Sequence, residues 1–515
     1  MKSIIKILSL LLILAMLLSV VGCKKENDGN KKGEQVVVSV MKEVNDRQVV
    51  YHNGKPFFFN AVHFRYDHLV KNLDKAADKA LADGMRLIKE NGFETVIIYV
   101  PWSRIYNGKE YDLSWFTKQF KEAEKNDLKV LINWFGSNVC GWGGYQSWQT
   151  NYEKYPSLMG VDGRPMVGTG HGEGKRIPDF SAPIYFEEEG EALTKICDWL
   201  YENDKDRRTV ALQIADEPNN NEGGFGQWMS QFKVYADYMD KLGEVVKNSK
   251  YSMVTYTVLM SAGYNDTLDG LNFKERIKYL IDAPNIDFVG WSIYEPVTTP
   301  KFKEMEQDGN LPVFIGLNPA SWVTPAQALY SISNAYGYCY YQFVNYDEGD
   351  GGYYSYKLGE KAGDSVFFSR DGSQILTMPQ FAGHLEVDQK EIVAMNTSIF
   401  KMDELIATNK EKFMAVFNNK AKNDFDGKKT IDGEKVYMTY KNLDKQYGGC
   451  GMMLKADDGN FYGFTTLDAS FTFTSDITVT EGYYDGDKWV SEKEITVSDK
   501  TFKTEGGKVY QVVIK

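Results

Sequence analysis

The residues of this chain that can do acid–base chemistry cluster where short apolar runs end. The run Thr209 to Ala215 passes directly into Asp216-Glu217-Pro218-Asn219, Ile286 to Tyr294 is followed by Glu295, and Tyr336 to Val344 is followed by Asp347 and Glu348. Carboxyl groups placed at such ends are able to give and take protons at a reacting oxygen. Aromatic and hydrogen-bonding residues stand at other run ends: His63, Arg65, Trp102, Trp134, and the pair Tyr341 and Gln342. Trp142 and Trp148 fall in a long insertion. Aromatic walls with a few polar groups are what a carbohydrate cleft requires, and the 33 Tyr and 10 Trp offer flat faces for sugar rings. Each of these residues reads equally as core packing. His63 in particular fits a hydrogen-bonded structural role as well as a substrate contact.

The elements that must position them alternate in type. Asn53-Gly54 marks a hairpin turn among the apolar stretches Val36 to Val40 and Gln48 to Phe59. Beyond it, strand patterns at Phe57–His63, Thr95–Tyr99, Lys129–Trp134, Thr209–Ala215, Met253–Leu259, Ile286–Tyr294, Pro312–Leu317 and Tyr336–Val344 are interleaved with helical patterns. The helical patterns run through Ala76–Asn91, Trp115–Asn126, Ala192–Asn203 and Phe232–Asn248. Strand–helix alternation implies parallel strands with crossover helices, and eight strands are the number that closes a (β/α)8 TIM barrel. Such barrels carry their chemistry at the C-terminal ends of the strands. An aromatic and glycine-rich insertion spans Gly136 to Ser181. A helix over Asp388 to Ala407 follows, and from Lys412 short alternating strands separated by turn residues predict an antiparallel β-sandwich. The expected domains are thus a barrel over 41–385 and a linking helix with a β-sandwich over 386–515.

The N-terminus reads as an export signal. An apolar stretch from Ile7 to Val21 ends in Val20-Val21-Gly22-Cys23 and then turns to Lys24-Lys25-Glu26. The stretch is short for a bilayer span of about 20 residues, so residues 1–23 are expected to be a lipoprotein signal peptide with Cys23 the lipidated residue. Residues 24–40 begin as a charged tether. The location implied is extracytoplasmic and membrane-anchored. Cys140, Cys197, Cys339 and Cys450 lack C-x-x-C spacing, so neither a metal site nor a disulfide framework is expected. A net charge of −12 with signs interspersed argues against nucleic acid as a partner. No cofactor is expected.

Three stretches together carry a family resemblance. Gln213-Ile214-Ala215-Asp216-Glu217-Pro218-Asn219, Gly92-Phe93-Glu94-Thr95-Val96 with Tyr99-Val100-Pro101-Trp102, and Asn285 through Tyr294 resemble the fourth, second and sixth strands of clan A glycoside hydrolases. That clan includes β-galactosidases, β-glucanases and mannanases. The resemblance covers about Gln48 to Asp350 and implies an oligo- or polysaccharide ligand, Glu217 as general acid/base and Tyr294 as the tyrosine beside the nucleophile. Two departures matter. Asp216 stands where the clan has an asparagine that binds a ring hydroxyl, and Leu317 stands where the seventh strand delivers the nucleophilic glutamate.

Retaining hydrolysis needs a second carboxylate about 5 to 5.5 Å from the acid, and leucine supplies none. Glu295, Asp347, Glu348 and Asp216 are the candidate replacements, with Glu295 slightly favoured although an ion pair with Lys301 or Lys303 explains it as well. A carboxylate about 6.5 to 9.5 Å away would instead give inversion. The expectation is therefore a carbohydrate-acting lipoprotein of glycoside hydrolase type. Its rival is a barrel that binds glycans without cleaving them, and a transporter's solute-binding lipoprotein is a remoter third.

Overall fold

The computed structural model describes residues 35–45, 47–136, 151–167, 176–217, 232–260, 267–268, 271–292, 314–319, 328–329, 332, 337–345, 354–358, 365–369, 374–375, 387–408, 428–440, 450–486 and 488–515. A three-stranded antiparallel sheet comes first: β1 (Ser39–Val44), β2 (Arg47–His52) and β3 (Lys55–Phe57). Asn53 and Gly54 both adopt positive φ, 50° and 82°, the geometry of a tight two-residue hairpin turn.

Next come eight parallel strands: β4 (Phe59–Phe64), β5 (Thr95–Pro101), β6 (Lys129–Phe135), β7 (Thr209–Asp216), β8 (Val254–Met260), β9 (Phe288–Ser292), β10 (Phe314–Pro319) and β11 (Gly337–Asn345). Each pairs with the next, and β11 pairs back with β4, so the sheet closes on itself. The closing contact requires a glycine. Gly337 sits opposite Phe59 with φ 154°, and a Cβ there would lie 2.1 Å from the Phe59 carbonyl oxygen.

Crossover helices α1 (Ala77–Glu90), α2 (Ser114–Lys125), α3 (Pro183–Asn203), α4 (Phe232–Asn248) and α5 (Phe273–Ile281) follow the first five strands. Each amphipathic helix has a reason to lie where it does. In α1 the buried positions Ala77, Ala80, Leu81, Gly84, Met85 and Ile88 recur at three- and four-residue spacing and make one apolar stripe against the sheet. The strands are apolar on both faces because both are covered. Val96, Ile98, Val100, Val130 and Ile132 pack outward on helices, whereas Ile97, Tyr99, Leu131 and Tyr256 fill the barrel. Val50 of the N-terminal sheet belongs to the interior cluster, with Met41 and Phe57 packed against it. The Ser39 hydroxyl accepts the Val254 amide at 2.8 Å. The sheet thus plugs the N-terminal end of the barrel.

A C-terminal domain of two antiparallel sheets completes the chain. One has the order β12 (Lys428–Ile431), β13 (Glu434–Tyr440), β16 (Ala469–Phe473), β19 (Thr501–Thr504). The other runs β14 (Gly451–Lys455), β15 (Phe461–Thr465), β20 (Val509–Ile514), β17 (Ile477–Asp485), β18 (Lys488–Ile495). Val436, Phe471 and Phe502 of the first share a core with Met453, Val479 and Val512 of the second, so the sheets pack face to face. Alternate residues Met452, Leu454, Tyr462 and Phe464 point the other way, into the core that contains Ile392, Met395 and Ile399 of helix α6 (Gln389–Phe400). Asn396 of that helix accepts the Asn60 amide at 2.8 Å and donates to the Asn91 carbonyl at 2.7 Å, tying it to the barrel. The helical pattern at Asp388–Ala407 is two helices, α6 and α7 (Asp403–Thr408), separated by a turn at Lys401 and Met402.

Candidate functional site

The register of the barrel brings a polar row into its interior. Tyr99 of β5 is level with Asn133 of β6, Asn133 with Gln213 of β7, and Gln213 with Tyr256 of β8. All four are buried. After Gln213 the pairing of β7 with β8 slips by a residue, and the slip carries the end of β7 inward: Asp216 receives the Gln213 amide on Oδ1 at 2.7 Å. The same amide nitrogen donates to the Ala215 carbonyl at 3.2 Å. Because a carbonyl only accepts, the Gln213 nitrogen must be the atom that faces Asp216.

Asp216 is 9% exposed. Burial, then the neighbouring Glu217 charge, raises its carboxyl from the ordinary 3.8 to about 7, against the opposing pull of Gln213, Arg65 and Asn133. The Asn133 amide lies close enough to favour the ionised form, but neither of its polar atoms completes a hydrogen bond of ordinary geometry, and the same holds for Gln213 Oε1 and Ser292 Oγ. Unpartnered buried polar atoms cost about 1 to 3 kcal/mol each.

Glu217 follows directly, partly buried, with φ 47° and its amide bonded to the Val258 carbonyl at 2.8 Å. A left-handed backbone is uncommon for glutamate and is found where surrounding structure holds it in place. Here the β8 carbonyl fixes the residue at the C-terminal end of the fourth strand, where barrel chemistry sits. On the neighbouring wall, His63 Nδ1 is 2.7 Å from the Tyr99 hydroxyl. Arg65 lies over the Tyr99 ring at 4.5 Å and grips Asp67 with two bonds, at 2.9 and 2.6 Å. Burial alone would raise Asp67, but the Arg65 guanidinium outweighs it and holds that carboxyl below its ordinary range. The same guanidinium also acts on Asp216, where its charge opposes the upward shift.

No protein-family model and no curated protein matches this chain. Among solved structures it is similar to an endo-1,4-β-mannanase from Rhizomucor miehei, at 12% identity and TM-score 0.39, over 57% of this chain and 88% of that one. A family 39 glycoside hydrolase from the gut symbiont Bacteroides cellulosilyticus WH2 gives 12% identity and TM-score 0.42 over 91% and 84% of the two chains. A β-galactosidase from the psychrophilic Marinomonas ef1 gives 10% and 0.43 over 68% and 62%.

Among the expected site residues, His63, Arg65, Asp216 and Glu217 gather at the C-terminal end of the barrel. Trp102 and Trp134 also stand at strand ends there, but both are sealed in the core on the helix side, away from the interior row. On β6 the inward positions are Leu131, Asn133 and Phe135, so Trp134 faces the helix layer. There it is sealed, donates to Glu189 of α3 at 2.7 Å and has the Trp102 ring 6.0 Å away. Tyr341 and Gln342 lie on β11, and Leu317 on β10 is the register partner of Ser292; the side chains of these three lie outside the described residues. Tyr294, Glu295, Asp347, Glu348, Trp142, Trp148 and Cys23 lie wholly outside them. The sequence reading missed Tyr99, Asn133, Gln213 and Tyr256. For Asn133 and Gln213 a signal existed: each is a lone amide within an otherwise apolar strand, Val-Leu-Ile-Asn-Trp-Phe and Val-Ala-Leu-Gln-Ile-Ala. Among the described residues no group of His, Cys, Asp and Glu is arranged to hold a metal.

Proposed function

We propose that the barrel acts on carbohydrate as a glycoside hydrolase-like site, with Glu217 as the general acid/base. The observation that carries this reading is the placement of Glu217 at the C-terminal end of the fourth strand, held there in a left-handed backbone and flanked by a buried carboxyl and an interior row of amides and phenols. Glu295 is proposed as the partner carboxylate. The test is Glu217→Gln assayed by release of reducing ends from unactivated oligosaccharides. An acid that protonates a leaving oxygen contributes about a hundred- to ten-thousand-fold, so turnover should nearly vanish while sugar binding persists. Wild-type hydrolysis that Glu217→Gln leaves untouched rejects the assignment.

A second reading, a barrel that binds glycans without hydrolysis, is favoured by Leu317 on the seventh strand. It is distinguished by sugar-induced thermal stabilisation without any release of reducing ends. The chain is also proposed to be an extracytoplasmic lipoprotein anchored at Cys23. Cys23→Ser should then release it from the membrane fraction or block its processing, and unchanged attachment would exclude Cys23 as the lipid site.

A further inference from the structure

The five-stranded sheet of the C-terminal domain has two faces with different neighbours. Ile477, Val479, Tyr510 and Val512 point into the sandwich, so Thr478, Thr480 and Gly482 of β17 and Gln511 of β20 lie on the opposite face. Tyr462 of β15 and Trp489 of β18 lie there too.

Trp489 does not stand up from this face but lies along it. Its register partner is Tyr484, yet its Nε1 reaches back to donate to the Thr480 hydroxyl at 2.9 Å. On the way the indole passes over Gly482, where a Cβ would come 2.9 Å from Trp489 Cζ2 and 2.0 Å from the Val490 carbonyl oxygen. The pairing of β17 with β18 slips between Glu481 and Gly482. That bulge brings the β18 backbone so close that only glycine fits, and the ring rests in the space the missing side chain leaves. The inner side of the indole is thus against backbone and its one polar atom is satisfied. Tyr462 meets it only at an angle, with centroids 5.5 Å apart and planes 58° from parallel. Trp489 is nevertheless partly exposed, and the part open to solvent is the side turned away from the sheet.

Fixed polar groups stand beside the ring. Gln511 is the register partner of Thr480, which puts it at the pyrrole end of the indole. Its Nε2 donates to the Tyr462 hydroxyl at 2.9 Å, and that hydroxyl donates to Asp458 at 2.6 Å, so the acceptors Gln511 Oε1 and Asp458 are held in place. Beyond Gln511 the face stays open, since the partners Thr478 and Val513 are both exposed. A flat ring face beside oriented acceptors matches the C–H face and the hydroxyls of a pyranose. The charges select the kind of sugar: exposed Asp458 and Glu494, the latter paired with Thr480, are both acidic and would repel a uronate.

We propose that this face is a second carbohydrate site, separate from the C-terminal end of the barrel, where Trp489 stacks on a neutral sugar of a polysaccharide and Gln511 and Asp458 accept bonds from its hydroxyls. It goes beyond the barrel reading and does not depend on Glu217.

Affinity electrophoresis of the mature chain tests this, in gels holding galactomannan, mixed-linkage β-glucan or polygalacturonate, with Glu217→Gln present throughout so that no polymer is cut. Migration should be retarded by at least one of the two neutral polymers and not by polygalacturonate. Adding Trp489→Ala should weaken that retention about tenfold or more, and Trp489→Tyr, which keeps a stacking ring, should restore most of it. Gln511→Ala leaves the indole in place and should weaken retention about two- to tenfold, which keeps the test decisive if Trp489→Ala folds poorly. Retention that none of these substitutions changes, retention by polygalacturonate above that by the neutral polymers, or no retention in any gel overturns the proposal. The barrel reading is measured apart from this, by reducing ends released from oligosaccharides in chains that keep Glu217. Trp489→Ala should leave that release unchanged, and its absence would reject hydrolysis by the barrel while the gels still decide the second site.

Discussion

Asp216→Asn should change how the stability of the protein depends on pH, even with no ligand present. In the folded chain the carboxyl is raised from 3.8 to about 7. The sign follows from proton counting: between those values the native state holds a proton that the unfolded chain has lost, so stability falls as pH rises. Below about pH 4 both states are protonated and there is no cost; above about pH 7 the whole cost applies. At ~1.36 kcal/mol per tenfold change, the span from 3.8 to about 7 corresponds to ~4 kcal/mol. Part of that belongs to the interaction with Glu217, so about 2 to 4 kcal/mol is the expected range. Asparagine keeps the shape and cannot ionise. Urea unfolding of both proteins at several pH values, followed by tryptophan fluorescence, should give a stability difference near zero at about pH 4 that grows to this range, in favour of the variant, by about pH 8. Contributions from groups that do not interact with Asp216 cancel in the difference, including buried His52, whose pKa burial lowers to about 4. Parallel pH curves for the two proteins would refute the reasoning, because they would mean that Asp216 titrates alike in both states.

Three further outcomes are expected. Trp134→Phe removes the donor to buried Glu189, leaving that carboxylate with the Tyr238 hydroxyl, and should cost about 1 to 3 kcal/mol in a denaturant melt while leaving sugar affinity unchanged; a specific loss of affinity would return Trp134 to the cleft. Gly337→Ala brings a Cβ 2.1 Å from the Phe59 carbonyl oxygen where β11 meets β4 and should destabilise the barrel by about 3 kcal/mol or more; an unshifted melting temperature would contradict the closing contact. Asn396→Ala cuts both hydrogen bonds that tie α6 to the barrel, to Asn60 and Asn91, and should lower stability by about 1 to 3 kcal/mol. Equal stability of this variant would show that these two hydrogen bonds contribute nothing measurable.

The sequence by itself determined the order and type of the elements. Local pattern suffices where one residue's neighbours decide its state. The helix Phe232–Asn248 was legible to the residue because its apolar stripe repeats at helical spacing, and the Asn53-Gly54 turn because both positions tolerate positive φ. The strand drawn at Phe57–His63 was less so. An apolar run does not say that Phe57 ends a hairpin and Phe59 begins the barrel, since Phe57, Phe58 and Phe59 are one unbroken apolar stretch. The helix Phe273–Ile281 also went unread.

The candidate site divides in the same way. Glu217 and Asp216 were legible because a carboxyl pair ending an apolar strand is a local signal. The inward set was not. In a strand covered on both faces, hydrophobicity no longer reports direction, so Trp134 and Asn133, adjacent in sequence, could not be assigned to opposite sides. Only the pairing register of β5, β6, β7 and β8, together with the slip after Gln213, decided that Tyr99, Asn133, Gln213 and Tyr256 share a row and that Asp216 turns in above it. Register is a property of contacts between strands far apart in the chain, and a one-residue slip exchanges the faces of everything beyond it.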